Sequence, residues 1–304
     1  MSVELRDDPW VLALRRGVGD LTLPEPLLRM GEGFGSVVIA AGDQLVVRIP
    51  KTIEVARQQR TADAVIPLVQ PHLPVKLTSV RWRVAPSPDL PFGATAHTRI
   101  SGTPLSPDSA DPSLARHTGT LLATLHGIDT SVFQGLVPGP VAVAAGRDAV
   151  MSTSLAWLRL VEPSSTVRAL ERWWDVARRT MNAVDLQPAL IHGDFWYGNL
   201  LASASGDRIE AILDWDQVCL DDPAQDLSTL LHAGPRFANA ALVAYREASG
   251  SVDDPILARR DILWQYREFT GLAAAINQND LPEMIDAHRK LRSGALQNIF
   301  EATS

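Results

Sequence analysis

The chain has 304 residues, of which 46% are hydrophobic and 21% are charged. This is long enough for one large or two modest domains with a real hydrophobic core. The formal net charge of −7 argues against nonspecific nucleic-acid binding and is compatible with a cationic small-molecule substrate, although ordinary solubility charge explains the same number.

Compartment and association are predicted from the cysteine count and the apolar runs. The single cysteine, Cys219, allows no disulfide within the chain, and its apolar neighbours predict a small buried side chain rather than a nucleophile. The N-terminus carries early acids, unlike a signal peptide, and no apolar run reaches the ~20 residues that a membrane span requires. We therefore predict a cytoplasmic protein that does not bind membranes. We also expect a monomer, and the net charge leads us to expect no nucleic-acid partner.

The N-terminal third predicts strands and one helix. A short amphipathic helix is expected over residues 3–16. Apolar runs around the glycine-rich step Gly31–Ser36 then indicate an antiparallel meander. Residues 52–66 lack Gly and Pro, which predicts a helix that ends near Pro67. Further strands are predicted at Leu73–Val75, Val80–Val84 and Ala94–Ile100.

Beyond Gly102, helical periodicity dominates the chain. Two short strands that end near Asp194 and Asp214 interrupt it, and residues 138–150, rich in Ala and Gly, remain unassigned. The predicted helices cover residues 114–126, 166–183, 223–232, 236–248, 255–277 and 281–297. The predicted fold class is α+β, with a β-rich N-lobe over residues 1–100 and a mainly helical C-lobe over residues 101–304.

One polar turn between apolar flanks carries the most specific chemical signal. It runs from His192 to Asn199, and a second apolar run then ends in Asp214 and Asp216. The Asp194 carboxylate can accept a proton from a hydroxyl and orient it for attack. Asn199 and Asp214 offer the hard oxygen ligands that Mg²⁺ takes from proteins, whereas no Cys/His cluster has zinc spacing. This set predicts phosphoryl transfer, which needs positioning and charge neutralisation above all.

The N-terminal third supplies the complementary part of such a site. The loop containing Gly33, Gly35 and Ser36 can bring backbone N–H groups to phosphate oxygens, and Arg48 adds a fixed positive charge. Alone, each has a simpler explanation, an ordinary hairpin turn and a solvated strand charge. The loop is not a dinucleotide fingerprint, because a strand rather than a helix follows it.

Three stretches resemble the aminoglycoside phosphotransferase family of the kinase-like superfamily, which also contains macrolide phosphotransferases and choline kinases. They are Val47–Pro50, His192–Leu201 and Ile212–Asp226, within a similarity spanning residues 27–280. The resemblance implies a protein-kinase-like bilobal fold. It also implies an enzyme that phosphorylates an alcohol group of a small molecule with ATP or GTP and Mg²⁺.

The resemblance also implies roles for individual residues. Asp194 becomes the catalytic base, and Asn199 and Asp214 become the Mg²⁺ ligands. Asp226 resembles a structural aspartate that braces the catalytic loop, and His192 resembles an orienting residue. The implied nucleotide-binding residues are Gly33, Phe34, Gly35, Ser36, Arg48, Asp63, Thr98 and Ile100.

Two positions depart from the family pattern. Many members carry lysine where this chain has Arg48, and Arg differs from Lys in reach and geometry. The helix that follows normally presents a glutamate to that cation. Asp63 is the best candidate here, because Glu54 lies too early in the helix.

The acceptor site is predicted from acids and aromatics. From Asp185 to Asp226 the chain has nine carboxylates and one base, Arg208, which suggests an acidic cleft for an ammonium-rich antibiotic. The candidate contacts are Asp216, Asp221, Asp222, Glu268, Trp196 and Tyr197. Turn or helix-cap roles, a solvated helix face and packing of the catalytic loop are the corresponding structural alternatives.

Three acceptor classes follow, beginning with an aminoglycoside-like antibiotic. A macrolide is the second and gains support if several tryptophans line the cleft, although core packing is expected of Trp157, Trp173, Trp174 and Trp264. A small metabolite alcohol is the third. A catalytically silent nucleotide-binding module is the alternative from another class.

Overall fold

The computed structural model describes residues 8–18, 23–33, 35–106, 111–182, 187–249 and 254–302. Within these ranges an antiparallel sheet forms most of the N-terminal part, and helices form most of the remainder. In the described part of the chain, no helix is both long enough and apolar enough to cross a membrane.

Within the described ranges, short strands form three sheets. The largest sheet has the antiparallel order β1-β2-β3-β6-β5, and the smaller sheets have the orders β4-β10-β9-β7 and β11-β8. The strands are β1 Leu27–Glu32, β2 Ser36–Ala41, β3 Leu45–Pro50, β4 Lys76–Leu77, β5 Val80–Val84, β6 Ala94–Thr98, β7 Thr103–Pro104, β8 Ala189–Ile191, β9 Leu200–Ala202, β10 Ile209–Ile212 and β11 Cys219–Asp221.

The predicted meander is confirmed in the largest sheet. Strands β2 and β3 pair in continuous register, from Ser36 opposite Pro50 to Ala41 opposite Leu45. Gly42 makes the turn between them with a φ of 57°, a conformation that glycine adopts without steric cost. This hairpin places Ser36 at one end of the sheet and Arg48 in the middle of β3.

Helices account for most of the chain after residue 111. The α-helices are α1 Pro9–Gly17, α2 Ile53–Val69, α3 Pro112–His126, α4 Pro140–Val161, α5 Ser164–Asn182, α6 Ala224–Thr229, α7 Pro235–Ser249, α8 Asp254–Gln278, α9 Leu281–Ser293 and α10 Gln297–Glu301. Side chains cap several N-termini, since Thr52, Asp111 and Asp280 accept hydrogen bonds from the first turns of α2, α3 and α9. A β-rich N-terminal part followed by a mainly helical remainder confirms the predicted α+β class.

Helices α3 and α7 approach each other unusually closely at Gly119. A Cβ atom on Gly119 would lie 1.9 Å from the backbone oxygen of Ala241, so only glycine fits there. Farther along the same two helices, Nδ1 of His126 lies 3.0 Å from the hydroxyl of Tyr245. The close approach therefore helps to position His126, whose Nε2 lies 3.2 Å from the carboxylate of Asp226.

Several element predictions need correction. Pro67 lies inside α2, where its missing N–H falls in the last turn of the helix. Leu73–Val75 does not form a strand. The strand in this region is β4, at Lys76–Leu77, which pairs parallel to β10. The unassigned residues 138–150 contain the start of α4, and the helix predicted over 281–297 ends at Ser293.

Two further predictions concern the first helix and the cysteine. Helix α1 begins at Pro9, and residues 3–7 of the helix predicted over 3–16 lie outside the described residues. Cys219 is buried as predicted, and burial raises the pKa of its thiol. The lobe boundary at residue 100 stays a prediction.

Candidate active site

A cavity of about 1650 Å³ lies between the N-terminal sheet and the helical part. It is lined by most of the predicted site residues, from both parts of the chain. They are Gly33, Gly35, Ser36, Arg48, Asp63, Thr98, Ile100, Asp194, Asn199, Asp214, Asp216 and Glu268. Phe34 lies outside the described residues.

The catalytic loop begins directly after strand β8. Gly193 has a φ of 84°, and a Cβ atom there would lie 2.3 Å from the backbone oxygen of Gln217. Glycine is therefore required at this position both for its backbone conformation and for space. The turn delivers the Asp194 carboxylate to the cavity.

The Asp226 carboxylate binds backbone N–H groups at the start of the catalytic loop. Its two carboxylate oxygens accept hydrogen bonds from the backbone N–H groups of His192 and Gly193, each at 2.8 Å. Nε2 of His126 lies 3.2 Å from the same carboxylate, which has no solvent exposure. These bonds give Asp226 the bracing role that the resemblance implied.

His192 connects the turn that carries Asp194 to the turn that carries Asp214. Its Nε2 lies 2.9 Å from the backbone oxygen of Leu213, and its Nδ1 lies 3.3 Å from the backbone N–H of Asp194. A ring protonated at Nε2 donates to Leu213 and accepts from Asp194. The side chain is buried and orients the loop.

The environment of Asp194 favours a proton acceptor. Burial raises the pKa of its carboxyl above the ordinary value, and the Asp214 and Asp226 carboxylates add to that effect. His192 and a hydrogen bond from Asn199 oppose it. Nδ2 of Asn199 donates to Oδ2 of Asp194 at 3.0 Å and to its backbone oxygen at 2.9 Å.

Asn199 and Asp214 have a donor set that fits Mg²⁺. Because the Asn199 amide nitrogen is committed to Asp194, its amide oxygen is left to face a cation. Asp214 has a φ of 57° and a side chain that is 45% exposed, so its carboxylate stands open to the cavity. In the described residues, no group of three or more His, Cys, Asp or Glu side chains could hold a metal ion.

Arg48 reaches across the cavity to both acids of the second turn. Its Nη1 and Nη2 donate to the two oxygens of Asp216 at 2.9 and 2.6 Å, and Nη2 also donates to Asp214 at 3.1 Å. Burial disfavours the charged guanidinium, but the two carboxylates prevail and raise the pKa of Arg48. Burial also raises the pKa of Asp216, against the effect of Arg48.

The predicted pairing of Asp63 with Arg48 is wrong for this structure. Asp63 is buried, with its oxygens 2.7 Å from Nε2 of His97 and 2.9 Å from Nη2 of Arg83. His97 lies on β6 and Arg83 on β5, and they occupy the carboxylate that was predicted to meet Arg48. Sequence reasoning could not foresee these partners, because His97 and Arg83 lie 34 and 20 residues away from Asp63.

The glycine loop is tied to α2 and to Lys51, the residue that follows β3. Nε2 of Gln59 donates to the Ser36 hydroxyl at 2.7 Å, and Nζ of Lys51 donates to the backbone oxygen of Gly33 at 2.9 Å. The backbone N–H of Lys51 donates to Gly35 at 2.9 Å. The loop is thus fixed over the cavity by bonds to α2 and to Lys51.

The comparison with known families decides the class of protein. A model of the phosphotransferase enzyme family matches residues 29–263. The chain belongs to this family. It is therefore a phosphotransferase that uses an alcohol group as the acceptor, as the resemblance indicated.

Solved structures of other phosphotransferases share the fold. The GDP complex of wild-type aminoglycoside 2′-phosphotransferase-IIIa matches with a TM-score of 0.77 at 16% identity, covering 95% of this chain and 98% of that chain. A GDP and kanamycin complex of APH(2″)-IIIa gives 0.76 at 17% identity, with the same coverage. Macrolide 2′-phosphotransferase MphH from Brachybacterium faecium, an apoenzyme, gives 0.68 at 22%, covering 93% and 97%. These matches confirm the kinase-like bilobal fold, and a search of curated protein sequences gave no match.

Arginines bind the acids that were predicted to meet the acceptor. Asp221 accepts from Nη2 of Arg147 at 2.5 Å, and buried Asp222 accepts from Nε of Arg259 at 2.6 Å. Asp216 is held by Arg48. The run of carboxylates in the sequence therefore overstates the negative charge that this phosphotransferase presents to a ligand.

The two aromatics of the catalytic loop pack rather than line the cavity. The rings of Trp196 and Tyr197 are 4.9 Å apart, and both contact His232, at 5.9 and 6.5 Å. Of this group only His232 lines the cavity, together with Trp264, whose ring is 4.9 Å from it. The packing alternative is thus the one the structure shows for Trp196 and Tyr197.

Helix α8 supplies cavity residues that sequence reasoning missed, including Arg267 and Gly271, and it brings Trp264, for which core packing was expected, to the cavity. The Arg267 guanidinium stacks 3.4 Å above the Trp264 ring, and its Nη2 lies 2.9 Å from Glu268. Burial lowers the pKa of Arg267, and Glu268 opposes that effect. Trp264, Arg267 and Gly271 recur at helical spacing on one face, a signal that was present in the sequence. Trp157, Trp173 and Trp174 pack with a second core cluster, as expected of core residues.

Proposed function

We propose that this phosphotransferase transfers the γ-phosphate of ATP or GTP, with Mg²⁺, to a hydroxyl of a small-molecule antibiotic. One observation carries the proposal. Asp194, Asn199 and Asp214 line the same cavity as Ser36 and Arg48, so a base, two oxygen ligands and phosphate-binding groups face one space. This is the set of parts that phosphoryl transfer between a nucleotide and an alcohol requires.

Asp194 acts as the base that orients and deprotonates the acceptor hydroxyl. The hydrogen bond from Asn199 fixes the carboxylate, and burial keeps its affinity for a proton above that of an exposed aspartate. Mg²⁺ held by Asn199 and Asp214 would neutralise the charge that develops on the phosphates. Arg48 adds a second fixed charge for the same phosphates.

The nucleotide occupies the side of the cavity next to the sheet. Gly33, Gly35 and Ser36 cover its phosphates, and the segment containing Thr98 and Ile100 meets its base. The backbone N–H groups of Thr98 and Arg99 already donate to Ser79 at 2.8 Å and to Gln44 at 2.7 Å, so a base would meet backbone from Ile100 onward.

An aminoglycoside-like antibiotic is the first acceptor to test. The kanamycin complex among the matching structures supports this class. The Glu268 side chain lines the cavity and is 18% exposed. Its carboxylate can therefore contact the acceptor, although it also contacts Arg267.

A macrolide is the second candidate, and the charge balance favours it. Asp216, Asp221 and Glu268 each already contact an arginine, which reduces the attraction for a polycation. Leu263 and Trp264 give the same wall an apolar surface. Only Trp264 of the four tryptophans considered in the sequence lines the cavity, so the aromatic argument for a macrolide is modest.

A phosphate-transfer screen tests the proposal. Purified protein is incubated with Mg²⁺ and either ATP or GTP against aminoglycosides, macrolides and metabolite alcohols, and the products are analysed by mass spectrometry. A phosphorylated antibiotic supports the proposal. A phosphorylated metabolite alone keeps the kinase and rejects the antibiotic, while nucleotide binding without any turnover indicates the silent module.

A further inference from the structure

Arg48 and Asp216 form an ion pair that joins the two lobes. They lie 168 residues apart, and each of the two Nη atoms meets one carboxylate oxygen, at 2.9 and 2.6 Å. The side chains are only 19% and 11% exposed. Such a two-pronged, largely desolvated contact fixes the plane of the guanidinium as well as its position.

The first large helix, α2, has no acid free for this task among its described residues. Asp63 is bound by His97 and Arg83, and its side chain is 3% exposed. Glu54 lies at the start of the helix, is 67% exposed and pairs with Arg57. The carboxylate that meets Arg48 therefore comes from the C-lobe.

Asp214 and Asp216 hold Arg48 in different ways. Asp214 offers one oxygen at 3.1 Å from a side chain that is 45% exposed, whereas Asp216 offers both oxygens from a side chain that is 11% exposed. The contact between Arg48 and Asp214 is the weaker of the two, and it can break when a cation binds the Asp214 carboxylate. The three bonds use three of the five N–H donors of the guanidinium, which leaves two for phosphate oxygens.

We propose that Asp216 is the positioning residue that holds Arg48 against the nucleotide phosphates, in place of an acid on α2. This also accounts for arginine at position 48, because the single ammonium of lysine cannot form the same fork. The inference rests on the proposed function, since it assumes that a nucleotide occupies the cavity. It assigns Asp216 to the nucleotide and removes it from the acceptor.

Affinity for ADP, measured by calorimetry without turnover, tests the proposal. We expect Asp216→Asn and Arg48→Lys each to weaken ADP binding about tenfold, the effect of losing one strong hydrogen bond to a charged group. The double variant should bind ADP within about twofold of the weaker single variant, because both changes break one interaction. Asp222→Asn, which breaks a buried pair with Arg259 outside the cavity, is the matched control and should bind ADP normally.

A second measurement separates nucleotide from acceptor. In Asp216→Asn the KM for the nucleotide should rise while the KM for the acceptor stays near the wild-type value. A raised acceptor KM with unchanged ADP affinity would overturn the proposal, because Asp216 would then contact the acceptor. Asp63→Asn should lose less ADP affinity than Asp216→Asn, and an equal or larger loss would restore the helix acid as the partner of Arg48.

Two safeguards keep the test decisive. Thermal melts show whether Asp216→Asn is folded. If it is not, Asp216→Glu and Arg48→Lys carry the test: Arg48→Lys should weaken ADP binding about tenfold, and Asp216→Glu should weaken it by less. Wild-type protein that fails to bind ADP rejects the proposed function itself. Wild-type protein that binds ADP while the Arg48 and Asp216 variants bind it equally well rejects only this inference.

Discussion

Asp226 decides the shape of the catalytic loop without touching the cavity. Two backbone N–H groups, those of His192 and Gly193, point at its two oxygens, each at 2.8 Å. Asparagine in this place would turn an amide N–H toward one of these donors. A single atom exchange therefore breaks one bond and leaves a buried N–H without an acceptor.

We expect Asp226→Asn to lower the free energy of unfolding by about 2–3 kcal/mol and kcat by tenfold or more. Urea denaturation and steady-state kinetics measure the two effects. Asp222→Asn serves as the control, because it also disturbs a buried aspartate but should keep kcat. Equal kcat in Asp226→Asn and wild type would contradict the bracing role.

The backbone of Asp214 allows metal binding to be separated from stability. Its φ of 57° is accessible to asparagine but costs alanine about 1 kcal/mol. We expect Asp214→Asn to keep wild-type stability and Asp214→Ala to lose about 1 kcal/mol. Both should need more Mg²⁺ for half-maximal turnover, which a magnesium titration measures, and unchanged Mg²⁺ dependence in both would remove Asp214 from the metal site.

At the scale of elements, the contact between α3 and α7 depends on one missing side chain. Gly→Ala in a helix usually stabilises a protein by about 0.5–1 kcal/mol. At Gly119 the added Cβ meets the backbone of Ala241, which cannot move aside as a side chain could. We expect Gly119→Ala to destabilise the protein by about 1–3 kcal/mol.

Gly146 in α4 is the matched control for this change. A Cβ atom there meets nothing within 4 Å, so Gly146→Ala should stabilise the protein slightly. Thermal denaturation compares the two variants directly. A stabilised Gly119→Ala variant would mean that α3 and α7 are not in backbone contact.

The aromatic group between the catalytic loop and α8 makes stability depend on pH. Burial, with a contribution from Arg267, lowers the pKa of His232 to about 4, against 6.5 for the unperturbed side chain. As the pH falls, His232 therefore becomes protonated near pH 6.5 in the unfolded chain but only near pH 4 in the folded chain. The stability contribution of neutral His232 is complete above pH 6.5 and is lost as the pH falls toward 4.

We expect His232→Gln to lose less stability than wild type when the pH is lowered across this range. Urea midpoints of both proteins, measured from pH 7.5 to 4.5, provide the comparison. Because the carboxylates titrate equally in both proteins, their contribution cancels in the difference. Identical pH slopes would show that His232 is protonated as easily in the folded state as in the unfolded state.

Elements with strong local signals could be predicted from the sequence, and those fixed by distant partners could not. The meander followed from turn residues and apolar runs, and α3 followed from helical periodicity. The start of α4 was missed, because its small residues are largely exposed and carry little apolar periodicity. Strand β4 was misplaced, since its pairing partner β10 lies more than a hundred residues away.

The candidate site divides in the same way. Asp194, Asn199 and Asp214 sit in compact motifs, and the structure brings all three to one cavity. The partners of Asp63, Asp216 and Asp221 lie on other elements, so counting carboxylates along the chain could not reveal their arginines. The charge of a cleft depends on the folded molecule, and here arginines brought in by the fold neutralise several of the carboxylates counted along the sequence.

At the scale of the whole molecule, the cavity is built from two lobes that meet at charged side chains. The ion pair between Arg48 of the sheet and Asp216 of the helical part lines this cavity, together with residues of the catalytic loop. We propose that the Asp194 carboxylate, in this cavity, orients and deprotonates the alcohol group that the protein phosphorylates.

Acceptor-dependent nucleotide turnover in wild type and Asp194→Asn tests that claim most directly. ADP or GDP release is followed with each phosphorylated product identified by mass spectrometry, and calorimetry confirms that both proteins bind nucleotide. We predict phosphorylated acceptor from wild type and a loss of at least about 10²-fold in Asp194→Asn with nucleotide affinity retained. Equal turnover by the two proteins, or nucleotide binding by wild type without turnover on any acceptor, would contradict the account.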